Sequence, residues 1–170
     1  MSEATQSKGS SSGTVTIEGD RIHWTHEGKL LGTIDLSQTV VVGEYTTSDG
    51  PWLDDWFVVF VLADGTFLCV PMYVDGREDL ILAIQTYFKT AQTVGALAGS
   101  TNWASLVDHP IELIGQPLFR LQLTKDYLPP KTWLAKLFYG LGLGKFNTDQ
   151  EILLSEPVES FLKSREVKPE

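Results

Sequence analysis

From Thr14 to Tyr73 apolar residues alternate with polar ones in short runs separated by turn residues, and immediately afterwards they recur about every 3.6 positions. The first pattern predicts a meander of antiparallel strands and the second an amphipathic helix. Runs 14–17 and 21–24 meet across Gly19-Asp20, where Gly at the first loop position suits a type II′ turn. Glu27-Gly28 divides the second run from 29–35, and a longer run, 39–46, follows Ser37-Gln38. Runs 56–63 and 66–73 flank Asp64-Gly65, which is read as a type I′ turn because that dipeptide supplies positive φ. Residues 56–62 are apolar at every position, so this strand should be central and covered on both faces. Pro71 has no N–H for a ladder, so its strand ends there or lies at an edge.

Beyond Tyr73, Asp75 is placed to cap a helix, with Glu78 three residues on as in a capping box. Leu80, Ile84, Tyr87, Phe88 and Ala91 form its apolar stripe. Residues 92–110 read as a loop or a frayed helix end, and 111–114 and 118–124 as one or two further strands. Thr132 can cap a short helix through Tyr139, which Gly140, Gly142 and Gly144 break. A short strand at 151–154 and a helix from the Ser155 cap through Lys163 complete the pattern. The expected organisation is a polar tail (1–13), a strand-rich unit with its helix (14–90), a mixed helical C-terminal extension packed on that unit (91–165) and a charged tail (166–170). The fold class is α+β, mainly an antiparallel β meander.

The segments Val15-Thr16-Ile17, Arg21-Ile22-His23-Trp24, Gly32-Thr33-Ile34-Asp35-Leu36, 57–62, Asp64-Gly65 and 80–88 occur in an order that resembles the pleckstrin-homology-like (PH-like) fold in its bacterial versions. The resemblance covers residues 14–90. It implies a bent, partly open barrel capped by the helix and used as a scaffold for binding lipids, peptides or proteins. That family's sheet usually has seven strands against about six read here, which leaves room for an irregular strand between Thr46 and Asp55. Phosphoinositide binding in the family uses basic residues around the first hairpin. Here that hairpin is Glu18-Gly19-Asp20-Arg21, one arginine among two acids, so the lipid-headgroup function is not expected.

Composition adds limits. In 170 residues, 42% hydrophobic and 11% aromatic content suffices for a packed core. Thirteen Lys and Arg against 22 Asp and Glu give a net charge of −9, and the pI is about 4.7. That balance argues against general binding of nucleic acid or anionic membranes, which needs clustered cations. The uncharged stretch 90–107 is interrupted by Gln92, Gly95, Gly99, Ser100, Thr101 and Asn102 and does not read as a membrane span. With no apolar leader-like stretch at the start and one cysteine, a reducing cytoplasm is the expected location.

Candidate chemistry is sparse, and no cofactor or metal is expected. His23 and His26 are an odd number apart on a strand and point to opposite faces, and His109 is remote. Cys69 lies in an apolar run and reads as core. There is no Gly-x-Ser-x-Gly elbow, and 140–145 lacks the spacing of a phosphate loop. Asp54 and Asp55 are adjacent acids, a poor catalytic pair without a third group. The informative feature is distributional. Between Lys29 and Arg77 there is no Lys or Arg, but there are Asp35, Glu44, Asp49, Asp54, Asp55, Asp64 and Asp75. Within that window the segment 44–55 adds Trp52, an aromatic among acids, which is a composition suited to anchoring a basic partner.

The favoured expectation is a non-catalytic cytoplasmic binding protein, an adaptor or an immunity (inhibitor) protein. It would engage a basic protein through Glu44, Asp49, Trp52, Asp54 and Asp55. Two alternatives stand beside it. One is a carrier or sensor enclosing an apolar small molecule between the strand-rich unit and residues 91–146. The other is a carboxylate-dependent hydrolase, which requires Asp35, Glu44, Asp54 or Asp55 to gather around a histidine. The apolar stripe Leu134, Leu137 and Phe138 offers a surface for weak self-association.

Overall fold

The computed structural model describes residues 12–47, 54–89, 94–100, 102–123 and 150–166. Strands β1 (Thr14–Glu18), β2 (Arg21–His26) and β3 (Lys29–Asp35) form an antiparallel sheet in that order. Gly19 alone in its turn has positive φ, 60°, as a type II′ turn requires. At the next corner both Glu27 and Gly28 have positive φ, 50° and 77°, and close β2 on β3 through the pair His26–Lys29. A 3-10 turn, Leu36–Gln38, leads into the second sheet.

That sheet has the order β6-β5-β4-β7, from β4 (Thr39–Thr46), β5 (Trp56–Leu62), β6 (Phe67–Pro71) and β7 (Ala104–His109). The wholly apolar β5 is an interior strand, and β6 ends at Pro71, both as expected. The β5–β6 corner differs from the type I′ expectation. Gly65 has φ 80° but Asp64 does not have positive φ, because its Oδ1 accepts from both the N–H and the hydroxyl of Thr66. The loop has three residues, 63–65, with Gly65 in the left-handed position.

β7 falls where the sequence pattern suggested a loop or helix end. It pairs with β4, and Gly43 is what lets it approach, since a Cβ there would lie 2.5 Å from the Leu106 carbonyl oxygen. The four-stranded sheet therefore draws on residues beyond 90. Residues 111–114, expected as strand, form a 3-10 turn, Ile111–Leu113.

Helix α1 (Arg77–Phe88) forms where the 3.6-residue period predicts it, burying Leu80 and Ile84. Asp75 does not cap it. Gly76 occupies the N-cap with φ 87° and no side-chain cap. The Asp75 backbone is instead paired with Gly13 and Val15, a short parallel bridge that ties the start of β1 to the chain leaving β6. The two sheets meet through this bridge and do not close into one hydrogen-bonded barrel among the described residues. β8 (Phe119–Leu123) and β9 (Gln150–Leu154) form a third, two-stranded sheet, followed by α2 (Glu156–Glu166). The architecture is α+β, with antiparallel sheets and two helices.

The four-stranded sheet separates two cores. Toward β1–β3 and α1 it presents Val42, Val58, Phe60 and Val70, packed with Ile22, Trp24, Leu80 and Ile84. On its other face Val41, Tyr45, Phe57 and Val59 pack with Leu118, Phe119, Val158 and Leu162. Ser155 stands at the N-cap of α2, as expected: its carbonyl accepts from the Glu159 N–H, and its hydroxyl donates to the Pro117 carbonyl. No helix among the described residues is long and apolar enough to cross a membrane. The expected 132–139 helix, with Leu134, Leu137 and Phe138, lies outside the described residues, as does Ala91.

Candidate functional site

The acids singled out by sequence fall into three separate places. Asp35 ends β3, where its Oδ1 accepts from the Ser37 N–H and hydroxyl and Arg21 stands 3.8 Å from its Oδ2. The Ser37 hydrogen bonds, helped by Arg21, hold its carboxyl below the usual carboxylate range. It is a local turn-former.

Glu44 corrects the expectation of an exposed partner-binding acid, because it is completely buried. In β4 its side chain shares the face of Val42 and so enters the core under α1. Three N–H donors converge on it. The Trp56 indole donates to Oε2 at 2.7 Å, and the Gly95 and Ala96 backbone amides donate to Oε1 at 2.8 and 3.0 Å. Glu44 thus fastens the segment after α1 onto the sheet. Beside it lies Asp108, 1% exposed, with neither oxygen in a formed hydrogen bond. Val42 pairs with His109 and Gly43 with Val107, leaving Asp108 as the extra residue of a β-bulge. Burial, and then the neighbouring Glu44 carboxylate, push the Asp108 carboxyl up to about 8, so it carries a proton at neutral pH. Sequence reasoning passed over Asp108. The available signal was that Glu44 sits in an otherwise apolar strand, so its charge had to be met inside the fold.

Asp54 and Asp55 lie just before β5, both partly buried. Asp54 accepts from the Ser12 hydroxyl, and its carboxyl is raised chiefly by partial burial, with Asp55 adding to the effect and His26 opposing it. Asp55 binds the neighbouring chain twice: its carbonyl accepts from the Thr47 N–H, and its Oδ1 accepts from the Tyr73 hydroxyl at 2.6 Å. Tyr73 is 48% exposed, and its phenol is pushed up to about 12, first by that hydrogen bond. Neither aspartate forms an ion pair with a lysine or arginine among the described residues, whereas Arg21, Arg77 and Arg120 each stand against a carboxylate. Asp49 and Trp52 lie outside the described residues.

No family model, curated protein or solved structure matches the chain. Its chemistry therefore rests on its own residues. Among those described, no group of three or more His, Cys, Asp or Glu is placed to hold a metal ion. His23 Nδ1 meets the Thr33 hydroxyl, while His109 packs on Phe88 with ring centroids 4.4 Å apart. Burial is the main influence on His109, and it lowers its pKa. Cys69 is a free, buried thiol whose pKa burial raises strongly. The hydrolase alternative needed several acids around one histidine, and the described geometry does not assemble them. Asp35, Glu44 and the Asp54–Asp55 pair have separate partners, and Asp54 alone has a histidine acting on it.

Proposed function

We propose that this chain is a non-catalytic binding protein of adaptor or immunity type, working in the cytoplasm, whose partner is a basic protein. The observation that carries this reading is the Asp54–Asp55–Tyr73 cluster. Two adjacent carboxylates, neither ion-paired with a lysine or arginine among the described residues, lie next to a half-exposed aromatic ring whose hydroxyl is held in place by one of them. A cationic surface arriving there would gain Coulomb attraction and an aromatic contact while displacing no internal ion pair. Asp49 and Trp52 belong to the proposed surface by their place in the sequence. The scaffold we infer is PH-like: two antiparallel sheets share a core, and a helix covers it.

The test is affinity capture from the protein's own source with the chain immobilised, comparing wild type with the triple variant Trp52→Ala, Asp54→Asn and Asp55→Asn. Asn keeps an acceptor for Ser12 and Tyr73, so the loop geometry survives while the charge is removed. The expected outcome is one predominant basic protein, identified by mass spectrometry, whose recovery falls about tenfold or more with the variant. Capture of no protein, or equal recovery by both, would refute the reading.

A further inference from the structure

A groove of about 590 Å³ runs between β1 and α1. Apolar groups from both elements line it, Ile17 from β1 and Leu82 and Tyr87 from α1, and Leu82 is 60% exposed. Among the described residues, the charged ones that line it are Asp20, in the β1–β2 turn, and Asp79, in the first turn of α1, and no cation does.

The backbone along this groove is half satisfied. Among the described residues, β1 is an edge strand whose only ladder partner is β2. The Val15 N–H donates to the Asp75 carbonyl, so it points away from β2. Backbone groups alternate sides along a strand, so the N–H and C=O of Ile17 point the same way, toward the groove. Chain 75–76 covers the Val15 groups and stops there, as the 2.5 Å approach of an added Gly76 Cβ to the Val15 oxygen shows. Ile17 has no partner on that side among the described residues.

We infer that this groove takes an extended segment of a basic protein, laid along β1, with its backbone exchanging hydrogen bonds with Ile17, apolar side chains against Leu82 and Tyr87, and a Lys or Arg held between Asp20 and Asp79. Charge complementarity selects the occupant, because the described lining holds two carboxylates and no cation, which repels an acidic strand and gives a neutral one no advantage. The main-chain exchange requires an extended conformation, and alternation of side chains delivers every second one to the apolar wall. The inference builds on the reading of a basic protein partner and gives it a second, sequence-reading contact. Asp75, paired with Gly13 and Val15, and Asp54, bonded to Ser12, place further acids along the same N-terminal stretch.

The test is nuclear magnetic resonance of the full chain labelled with nitrogen-15, titrated with a blocked peptide of about ten residues alternating lysine and valine. A glutamate-for-lysine counterpart and a backbone N-methylated counterpart serve as controls. Expected are shifts of the Ile17 amide and of residues 79–87, about tenfold weaker binding to the Asp20→Asn/Asp79→Asn variant, and loss of binding on N-methylation. Equal binding of the acidic peptide, unchanged affinity of the variant, or no shift along the groove would overturn it. Shifts confined to Asp54, Asp55 and Tyr73 would overturn the groove while leaving the basic-partner reading standing.

Discussion

Two pairs of acids, Glu44 with Asp108 and Asp54 with Asp55, contribute to the same negative composition and do opposite things. The first pair is inside: Glu44 is fully buried and receives three N–H donors, and Asp108 is buried with none. The second pair is only partly buried, and each carboxylate is bonded to one hydroxyl. Removing a charge from the buried pair changes how the fold holds together, and removing one from the surface pair changes what the fold attracts. Net charge therefore says little until each carboxylate is assigned to one environment or the other.

The largest effect that separates the two is expected from Glu44→Ala. It leaves the Trp56 indole and the Gly95 and Ala96 amides as buried donors without an acceptor, and should lower unfolding free energy by about 3–5 kcal/mol. Asp55→Ala at the surface should cost well under about 1 kcal/mol. Urea denaturation of both variants measures this, and similar losses would erase the distinction.

Asp108 makes stability depend on pH in a direction opposite to most carboxylates. Its pKa is raised in the fold from 3.8 to about 8, so between those values the folded chain keeps a proton that the unfolded chain has lost. Its contribution is full below about pH 4, is lost progressively as the pH rises toward about 8, and is flat above that. Asp108→Asn carries no titrating charge, so its stability should fall less between pH 5 and 9 than that of wild type. Parallel stability profiles for the two proteins would show that Asp108 is ionised in the fold.

Much of this fold was legible along the chain. Strands β1 to β6 follow from alternation and turn residues, and α1 from its period of 3.6, because local pattern and final burial agree there. β7 was missed because it carries the bulge and a buried acid in place of clean alternation, and because its partner β4 lies some 60 residues earlier. β8 and β9 were read as strands, but their pairing spans a long sequence separation, which no local pattern encodes. The Glu44 environment also depends on distant chain, since its donors come from residues 56, 95 and 96. The Asp54–Asp55 pair was visible as sequence. Its link to Tyr73 follows from the pairing of β5 with β6, which brings the two strand ends together.

A smaller effect follows for Trp56→Phe. It removes one of the three donors to Glu44 while keeping an aromatic body, and should cost about 1–2 kcal/mol, less than Glu44→Ala. The smallest effect is spectroscopic and reports on the surface pair. In an absorbance titration at alkaline pH, Tyr73 should ionise near 12 in wild type and closer to the ordinary value of 10 in Asp55→Asn. An unchanged titration would mean that the Asp55–Tyr73 hydrogen bond does not persist in solution.

The most direct measurement is the recovery of basic protein on three immobilised forms of the chain: wild type, Asp54→Asn/Asp55→Asn and Asp108→Asn. The surface variant should lose about tenfold in recovery while Asp108→Asn retains it. Retention by the surface variant with loss by Asp108→Asn would mean that the partner depends on the interior acids and not on the Asp54–Asp55 face.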